Sequence, residues 1–134
     1  DAEKPVGKRL HLVGSEIDEK TGAKNTFRIS FPRLDGYFTG SGDFFAALTT
    51  ARLAKLRSDG VETPLERACE LATSTQVGIM AATRDFQEST GVPVGENLAR
   101  GTRPSDMVRG FEMRIIPSQH LILNPTLQFK ADKI

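Results

Sequence analysis

The sequence predicts an α/β fold, and three observations support this prediction. Apolar and polar residues alternate in residues 9–14 and 26–31, which is the period of a β-strand. Residues 41–58 begin with an apolar, helix-favouring run, and residues 63–89 carry apolar side chains at helical spacing. A turn with two glycines leads directly into the first of these helices. With 134 residues, the chain is one domain or part of one.

The two strand segments predict a β-hairpin with a long loop. Leu10 and Leu12 share one face of the first strand. Phe27, Ile29 and Phe31 share one face of the second, which Pro32 ends. About ten polar residues separate the two strands, which indicates a loop longer than a tight turn.

The first helix is predicted over residues 41–58. Its N-terminal half is apolar on nearly all sides, which predicts burial against a sheet with Phe44 and Phe45 in the core. Its C-terminal half is polar, and Asp59 and Gly60 end it.

The second helix is predicted to begin at a capping box. Thr63 is the N-cap, Pro64 suits the first helical position, and Glu66 completes the box. The helix runs to about residue 89, before Gly91 and Pro93. Its buried face contains Leu65, Ala68, Cys69, Ala72, Ile79, Met80 and Phe86.

The last third of the chain predicts a loop and two strands. Residues 91–110 are rich in glycine, proline and charge, which is typical of a loop. Residues 111–116 alternate and predict a strand that Pro117 ends. Leu127 and Phe129 alternate with polar residues and predict a final edge strand.

Composition argues against several classes of function. The 18 Lys and Arg residues nearly balance the 17 Asp and Glu residues, so no basic patch points to nucleic acid. No apolar run approaches the roughly 20 residues of a membrane span. The single Cys69 excludes an internal disulfide framework and fits a cytoplasmic protein. His11 and His120 have no partners at metal-ligand spacing, so no metal site is predicted.

The glycine turn, defined as Gly40, Ser41, Gly42 and Asp43, carries the strongest functional signal. The first amides of a helix have no intrahelical acceptor, and the helix dipole adds positive charge there. Such a junction can bind a phosphate, and Asp43 places a carboxylate beside it. The alternative is an ordinary helix start, with Ser41 or Asp43 as a cap.

The residues around this turn extend the signal to a family. Residues 38–48 (FTGSGDFFAAL) resemble the signature of the pyridoxal kinases, a branch of the ribokinase-like superfamily. Residues 101–105 with 111–114, and residues 12–15, also resemble that family, in the same order. Ser41 stands where threonine is common and Phe44 where leucine is common; both changes keep the chemical character.

The resemblance implies the C-terminal part of a ribokinase-like three-layer α/β/α sandwich. Residues 1–134 would be the C-terminal portion of a single kinase domain, without its N-terminal portion. The implied reaction is ATP-dependent phosphorylation of the 5′-hydroxymethyl group of pyridoxal. ATP and Mg²⁺ are the implied cofactors, and a monovalent cation stays open. The full-length protein would be a homodimer that binds pyridoxal and related B6 vitamers, whereas this chain alone would be inactive.

The resemblance also implies roles for individual residues. Asp43 would contact the substrate alcohol as general base, and the other three residues of the glycine turn would form an anion hole. The nucleotide would be lined by Leu34, Asp35, Gly36, Phe38, Thr39, Gly40, Ser41, Gly42 and Met80. Met80 could equally fill a gap in the core, and Tyr37 is expected to pack at a strand end.

Two other functions stay open on the sequence. One is a related kinase that phosphorylates a sugar, a nucleoside or a hydroxymethylpyrimidine. The other is a fragment that binds nucleotide without catalysis, because the residues expected for the vitamin pocket are not in this chain.

Overall fold

The computed structural model describes residues 7–36, 38–90 and 112–134. The described elements are a three-stranded antiparallel sheet, two long helices and a short C-terminal helix. In chain order they are β1 (Arg9–Ile17), β2 (Lys24–Pro32), α1 (Ser41–Ser58), α2 (Pro64–Ser89), a 3₁₀ turn (Ile116–Ser118), α3 (Gln119–Leu123) and β3 (Ala131–Lys133).

The predicted hairpin is confirmed, with longer strands and a shorter loop than expected. β1 and β2 pair from Arg9 opposite Pro32 to Ile17 opposite Lys24. The carboxylate of Asp18 accepts hydrogen bonds from two backbone amides of the turn, which lowers the pKa of Asp18. This local network allows the turn to be tight, so polar residues that were expected in the loop extend the strands instead.

Gly14 has a packing role in the sheet. It lies opposite Phe27, and the Phe27 ring covers it. A Cβ at position 14 would lie 2.2 Å from Cζ of Phe27. Since Phe27 is fully buried, its ring has little room to move away. The glycine in the segment of residues 12–15 is therefore required by cross-strand packing.

The hydrophobic core lies between the sheet and α2. Phe27 and Ile29 of the central strand pack with Cys69 of α2. Leu12, Phe31, Leu65, Phe129 and Ala131 surround them. The predicted core position of Cys69 is confirmed, and its burial raises the pKa of the thiol to about 11.

The expectation that α1 packs against a sheet is wrong for the part of the chain that is described. α1 instead packs along α2, which itself covers the sheet. Only Leu48 is fully buried; Phe44 and Phe45 are half-buried, and Ala46 and Ala47 are exposed. The predicted bounds of α1 and its end at Asp59 and Gly60 are confirmed.

The predicted capping box at the start of α2 is also wrong. Thr63 precedes Pro64 as expected, but its side chain makes no capping hydrogen bond. The carboxylate of Glu16 on β1 accepts from the backbone amides of Leu65 and Glu66, at 2.9 and 3.2 Å. The Glu66 carboxylate accepts instead from Asn25 at 2.7 Å and pairs with Lys133. The sheet therefore caps this helix.

The strand predicted at residues 111–116 is not formed in its described part, residues 112–116. Glu112 makes a single parallel bridge to Thr39, after which the chain turns into the 3₁₀ turn that contains Pro117. The backbone amide of Arg114 donates to Oγ1 of Thr83 at 3.0 Å rather than to a neighbouring strand. The predicted edge strand does occur, but as β3, after Leu127 and Phe129.

Polar side chains of α2 hold the C-terminal segment along the helix. Oγ of Ser74 accepts from the backbone amides of Gln128 and Phe129, and Oε1 of Glu70 accepts from that of Ala131. Oγ1 of Thr75 donates to the carbonyl of Leu121 at 3.2 Å. These bonds explain why so many polar residues of a long helix are buried.

Several predictions lie outside the described residues. They concern the loop at residues 91–110, Tyr37, Phe111 and the segment at residues 101–105. Within the described ranges, no helix combines the length and the apolar character that crossing a membrane requires.

Candidate functional site

The glycine turn forms the N-terminus of α1. Gly40 is the N-cap and has a left-handed backbone, with φ 77° and ψ 9°. The first intrahelical hydrogen bond runs from the amide of Phe44 to the carbonyl of Gly40, at 3.0 Å. The amides of Ser41, Gly42 and Asp43 therefore come before the helical ladder and have no helical acceptor.

The N-cap of α1 makes no side-chain capping hydrogen bond to these amides. Gly40 as the N-cap has no side chain to accept from them. Gly40, Gly42 and Asp43 are exposed, and a Cβ built at either glycine meets nothing within 4 Å. This geometry leaves open space for an anion in front of the helix.

Gly40 and Gly42 differ in the physical reason for having no side chain. Gly40 adopts a positive φ, which other residues rarely adopt. Gly42 has no positive φ and no close neighbour, so the fold does not require a glycine at that position. The absence of a side chain at Gly42 keeps its amide accessible, which is a property that a bound anion can use.

Asp43 lies in the first turn of α1 with an exposed side chain. An exposed carboxylate next to these three amides is able to accept a proton from a group that the amides help to orient.

The other residues expected to line a nucleotide lie just before the turn. Leu34 and Phe38 are half-buried, whereas Asp35, Gly36 and Thr39 are exposed. Thr39 forms the parallel bridge with Glu112 and so ties the turn to the C-terminal segment.

Met80 lies apart from this group, on α2. It is half-buried and lines a cleft of about 30 Å³ with Phe31, Phe45, Thr73, Gln76 and Val77. That volume suits one or two water molecules. Phe45 lines this cleft and follows the glycine turn by two residues. The helix α1 therefore contributes both to the cleft and to the turn.

The sequence did not indicate the role of residues 112–114 at this site. Their alternation predicted a strand, whereas the structure brings Glu112 beside Thr39 and ties Arg114 to Thr83. The resemblance of residues 111–114 to the pyridoxal kinases did single out this segment, but it gave no information on which residues the segment contacts.

A search of the described residues finds no group of three or more His, Cys, Asp and Glu side chains that could hold a metal ion. His11 and His120 are both exposed.

Comparisons with known proteins agree with the motif at the turn. The chain is 31% identical over 129 residues to the pyridoxal kinase of Arabidopsis thaliana, covering 96% of this chain and 36% of that protein. The resemblance to the pyridoxal kinases is confirmed. The pyridoxal kinase of Dictyostelium discoideum is 26% identical over 127 residues, covering 92% of this chain and 36% of that protein. No protein-family model matches the chain.

The solved structures confirm the predicted fold class. The pyridoxal kinase of Leishmania donovani in complex with ADP and pyridoxamine matches with a TM-score of 0.65 and 20% identity. That match covers 99% of this chain and 37% of the other. The fold is thus the α/β fold of the matching part of that structure. The chain spans little more than a third of the length of the relatives it matches.

Proposed function

We propose that this chain supplies the phosphate-binding turn and the general base of a pyridoxal kinase. The reaction is transfer of the γ-phosphoryl group of ATP to the 5′-hydroxymethyl group of pyridoxal. The observation that carries the proposal is the open N-terminus of α1, with its exposed amides and Asp43 in a single helical turn. The similarity to named pyridoxal kinases supports the choice of substrate.

The amides of the glycine turn would act as an anion hole. The transferred phosphoryl group carries negative charge that is spread over its oxygens in the transition state. Backbone donors that are already oriented stabilise that charge without having to reorganise. Gly40, Ser41, Gly42 and Asp43 would donate from the backbone.

Asp43 would take the proton from the attacking hydroxyl group. A carboxylate is a weak base toward an alcohol, because a carboxyl group is by far the stronger acid of the two. A weak base suffices when the transition state is loose, since the hydroxyl proton is then transferred late.

Leu34 and Phe38 would contact the adenosine, and Asp35, Gly36 and Thr39 would complete the wall beside the phosphates. Met80 would pack against the base from α2. A solved relative in complex with ADP supports ATP as the phosphoryl donor. Mg²⁺ would be held by the nucleotide phosphates with help from carboxylates, and it neutralises their charge when bound.

A chimera tests this function directly. The matching segment of the Arabidopsis thaliana pyridoxal kinase is replaced by this chain, and ATP-dependent formation of pyridoxal phosphate is measured. We expect turnover. In the same chimera, Asp43→Asn should lower kcat by about 10²–10⁴-fold, the usual size of acid–base catalysis, with nucleotide affinity unchanged.

Asp59→Asn is the matched control, because Asp59 is an exposed aspartate at the opposite end of the same helix. It should keep the kcat of the unmodified chimera. Activity of the Asp43→Asn chimera within a factor of about three of the parent, well below the scale of acid–base catalysis, would rule Asp43 out as the base.

A second candidate is nucleotide binding without phosphoryl transfer by this chain. A helix N-terminus with a glycine N-cap is sufficient to bind a phosphate even where no base acts, which favours this candidate. Binding of ADP by an inactive chimera would support this alternative. Preference of the chimera for ribose over pyridoxal would instead indicate another ribokinase-like kinase.

A further inference from the structure

We propose that Thr83 is a positioning residue that holds the glycine turn in shape for phosphate. It acts through residues 112–114, which connect α2 to Thr39. The inference rests on the proposed function, because it assigns a support to the same phosphate site.

The Thr83 hydroxyl acts both as a hydrogen-bond donor and as an acceptor. The residue is fully buried in α2, and Oγ1 donates to the carbonyl of Ile79 at 2.8 Å. The same oxygen accepts from the backbone amide of Arg114 at 3.0 Å. The helical bond orients the hydroxyl, so its lone pair points at a fixed place on the C-terminal segment.

Two further contacts close to this hydrogen bond also hold residues 112–114 against α2. The guanidinium of Arg114 lies 3.8 Å from the centre of the Phe86 ring, which is a cation–π contact one helical turn along α2. Met113 is buried between its neighbours. The segment is therefore anchored on α2 by a hydrogen bond, a ring contact and a buried side chain.

The anchored segment ends at the glycine turn. Glu112 pairs with Thr39 as an isolated parallel bridge, and Thr39 directly precedes the left-handed Gly40. Glycine has the largest backbone freedom of any residue, so a turn that begins with it needs outside support to stay in one conformation. Binding an anion to amides that are already oriented costs less ordering than binding to mobile ones.

Thr83→Val tests the link, because it keeps the shape of the side chain and removes the hydroxyl. Inorganic phosphate is titrated into the 134-residue chain, and the amide signals of Ser41, Gly42 and Asp43 are followed by NMR. We expect phosphate to bind roughly three- to tenfold more weakly to the variant, the size of one hydrogen bond. Without phosphate, the backbone order parameters of Gly40 and Ser41 should fall below the rigid value of about 0.85. Thr83→Ser, which keeps the hydroxyl, should restore both.

Thr75→Val is the matched control. Thr75 is also a buried threonine of α2 with two hydrogen bonds, from Arg52 at 2.8 Å and to the Leu121 carbonyl at 3.2 Å. One of those bonds ties Arg52, in the second half of α1, to α2, and the other holds α3. Neither bond involves residues 112–114 or the glycine turn. Thr75→Val should lose about as much stability as Thr83→Val. It should bind phosphate as tightly as the unmodified chain does.

The outcomes separate this inference from the proposed function. If Thr83→Val binds phosphate as tightly as Thr75→Val and keeps the order of Gly40, the inference is overturned while the phosphate site stands. If the unmodified chain shows no phosphate shifts, the phosphate site fails, and the order parameters alone decide whether Thr83 supports the turn. Should Thr83→Val not fold, Thr83→Cys is put through the same two measurements, because a thiol is a much weaker hydrogen-bonding group than a hydroxyl.

Discussion

Two glycines separated by one residue have different physical roles at the start of α1. Gly40 has a positive φ of 77°, so it is there for its backbone conformation. Gly42 has no positive φ and has open space where a Cβ would be, so the fold does not explain it, and we propose that it gives an anion access to its amide. The sequence predicted the pair as an anion site, but only the backbone angles tell the two roles apart.

Gly42→Ala should therefore stabilise the fold and weaken anion binding. Alanine in a helix is more stable than glycine by about 0.5–1 kcal/mol, because it loses less backbone entropy on folding. The added methyl group lies where a phosphate oxygen approaches, so we expect phosphate affinity to fall roughly tenfold or more, on the scale of losing one or two charge-assisted hydrogen bonds. Urea unfolding and a phosphate titration measure the two effects.

Gly40→Ala serves as the contrast. It forces an alanine into the left-handed region and should cost about 1–2 kcal/mol of stability. An opposite result, with Gly42→Ala destabilising and leaving phosphate affinity unchanged, would mean that Gly42 has a role in packing.

At the scale of elements, the helices and central strands followed from sequence patterns, and their ends depended on partners. α1 and α2 have the predicted bounds because their spacing, Pro64 and Gly60 are local signals. The start of α2 is capped by Glu16, which lies 49 residues before Leu65 in the chain. A capping box is a local pattern, and here a distant carboxylate satisfies the same amides.

Replacing Glu16 tests this cap. Glu16→Ala should lower the free energy of unfolding by about 1–2 kcal/mol, because it leaves two amides at the start of α2 without their acceptor. Glu16→Gln keeps a neutral acceptor and should lose less. Both values come from urea unfolding.

Thr63→Ala is the comparison that distinguishes the two caps. Its side chain makes no capping bond in the structure, so the change should cost less than about 0.5 kcal/mol, below the usual loss of a cap. If Thr63→Ala is instead the more damaging of the two alanine substitutions, the local capping box is the true start of α2.

At the scale of the whole molecule, the described residues join a sheet, its core with α2 and the glycine turn. The vitamin pocket of a pyridoxal kinase has no assigned residue among them. The relatives that the chain matches are almost three times as long, and the chain covers 36% of the two curated ones.

We expect the 134-residue chain by itself to bind phosphate without phosphorylating pyridoxal. A base and an anion site accelerate transfer only when the acceptor alcohol is held in position, and positioning can supply several powers of ten in rate. Incubation with MgATP and pyridoxal, followed by detection of pyridoxal phosphate, is the measurement. Sustained turnover by the purified chain would contradict this expectation.

The sequence by itself determined the features that arise from neighbouring residues. These are the alternation of the two central strands, the two long helices, the glycine turn and the resemblance to the pyridoxal kinases. The prediction of a strand at residues 111–116 was wrong, because an alternating pattern shows which residues are apolar but not whether a partner strand lies beside them.

Only the tertiary structure decided the contacts that join distant parts of the chain. The Arg114 amide reaches Thr83 across 31 residues, Glu112 reaches Thr39, and Glu16 reaches the start of α2. A backbone amide or a carboxylate can form a hydrogen bond with many different partners. The packing of α2 on the sheet determines which of these partners is close enough. Local pattern therefore predicts an anion site at the glycine turn, and long-range packing determines which parts of the chain contact that turn.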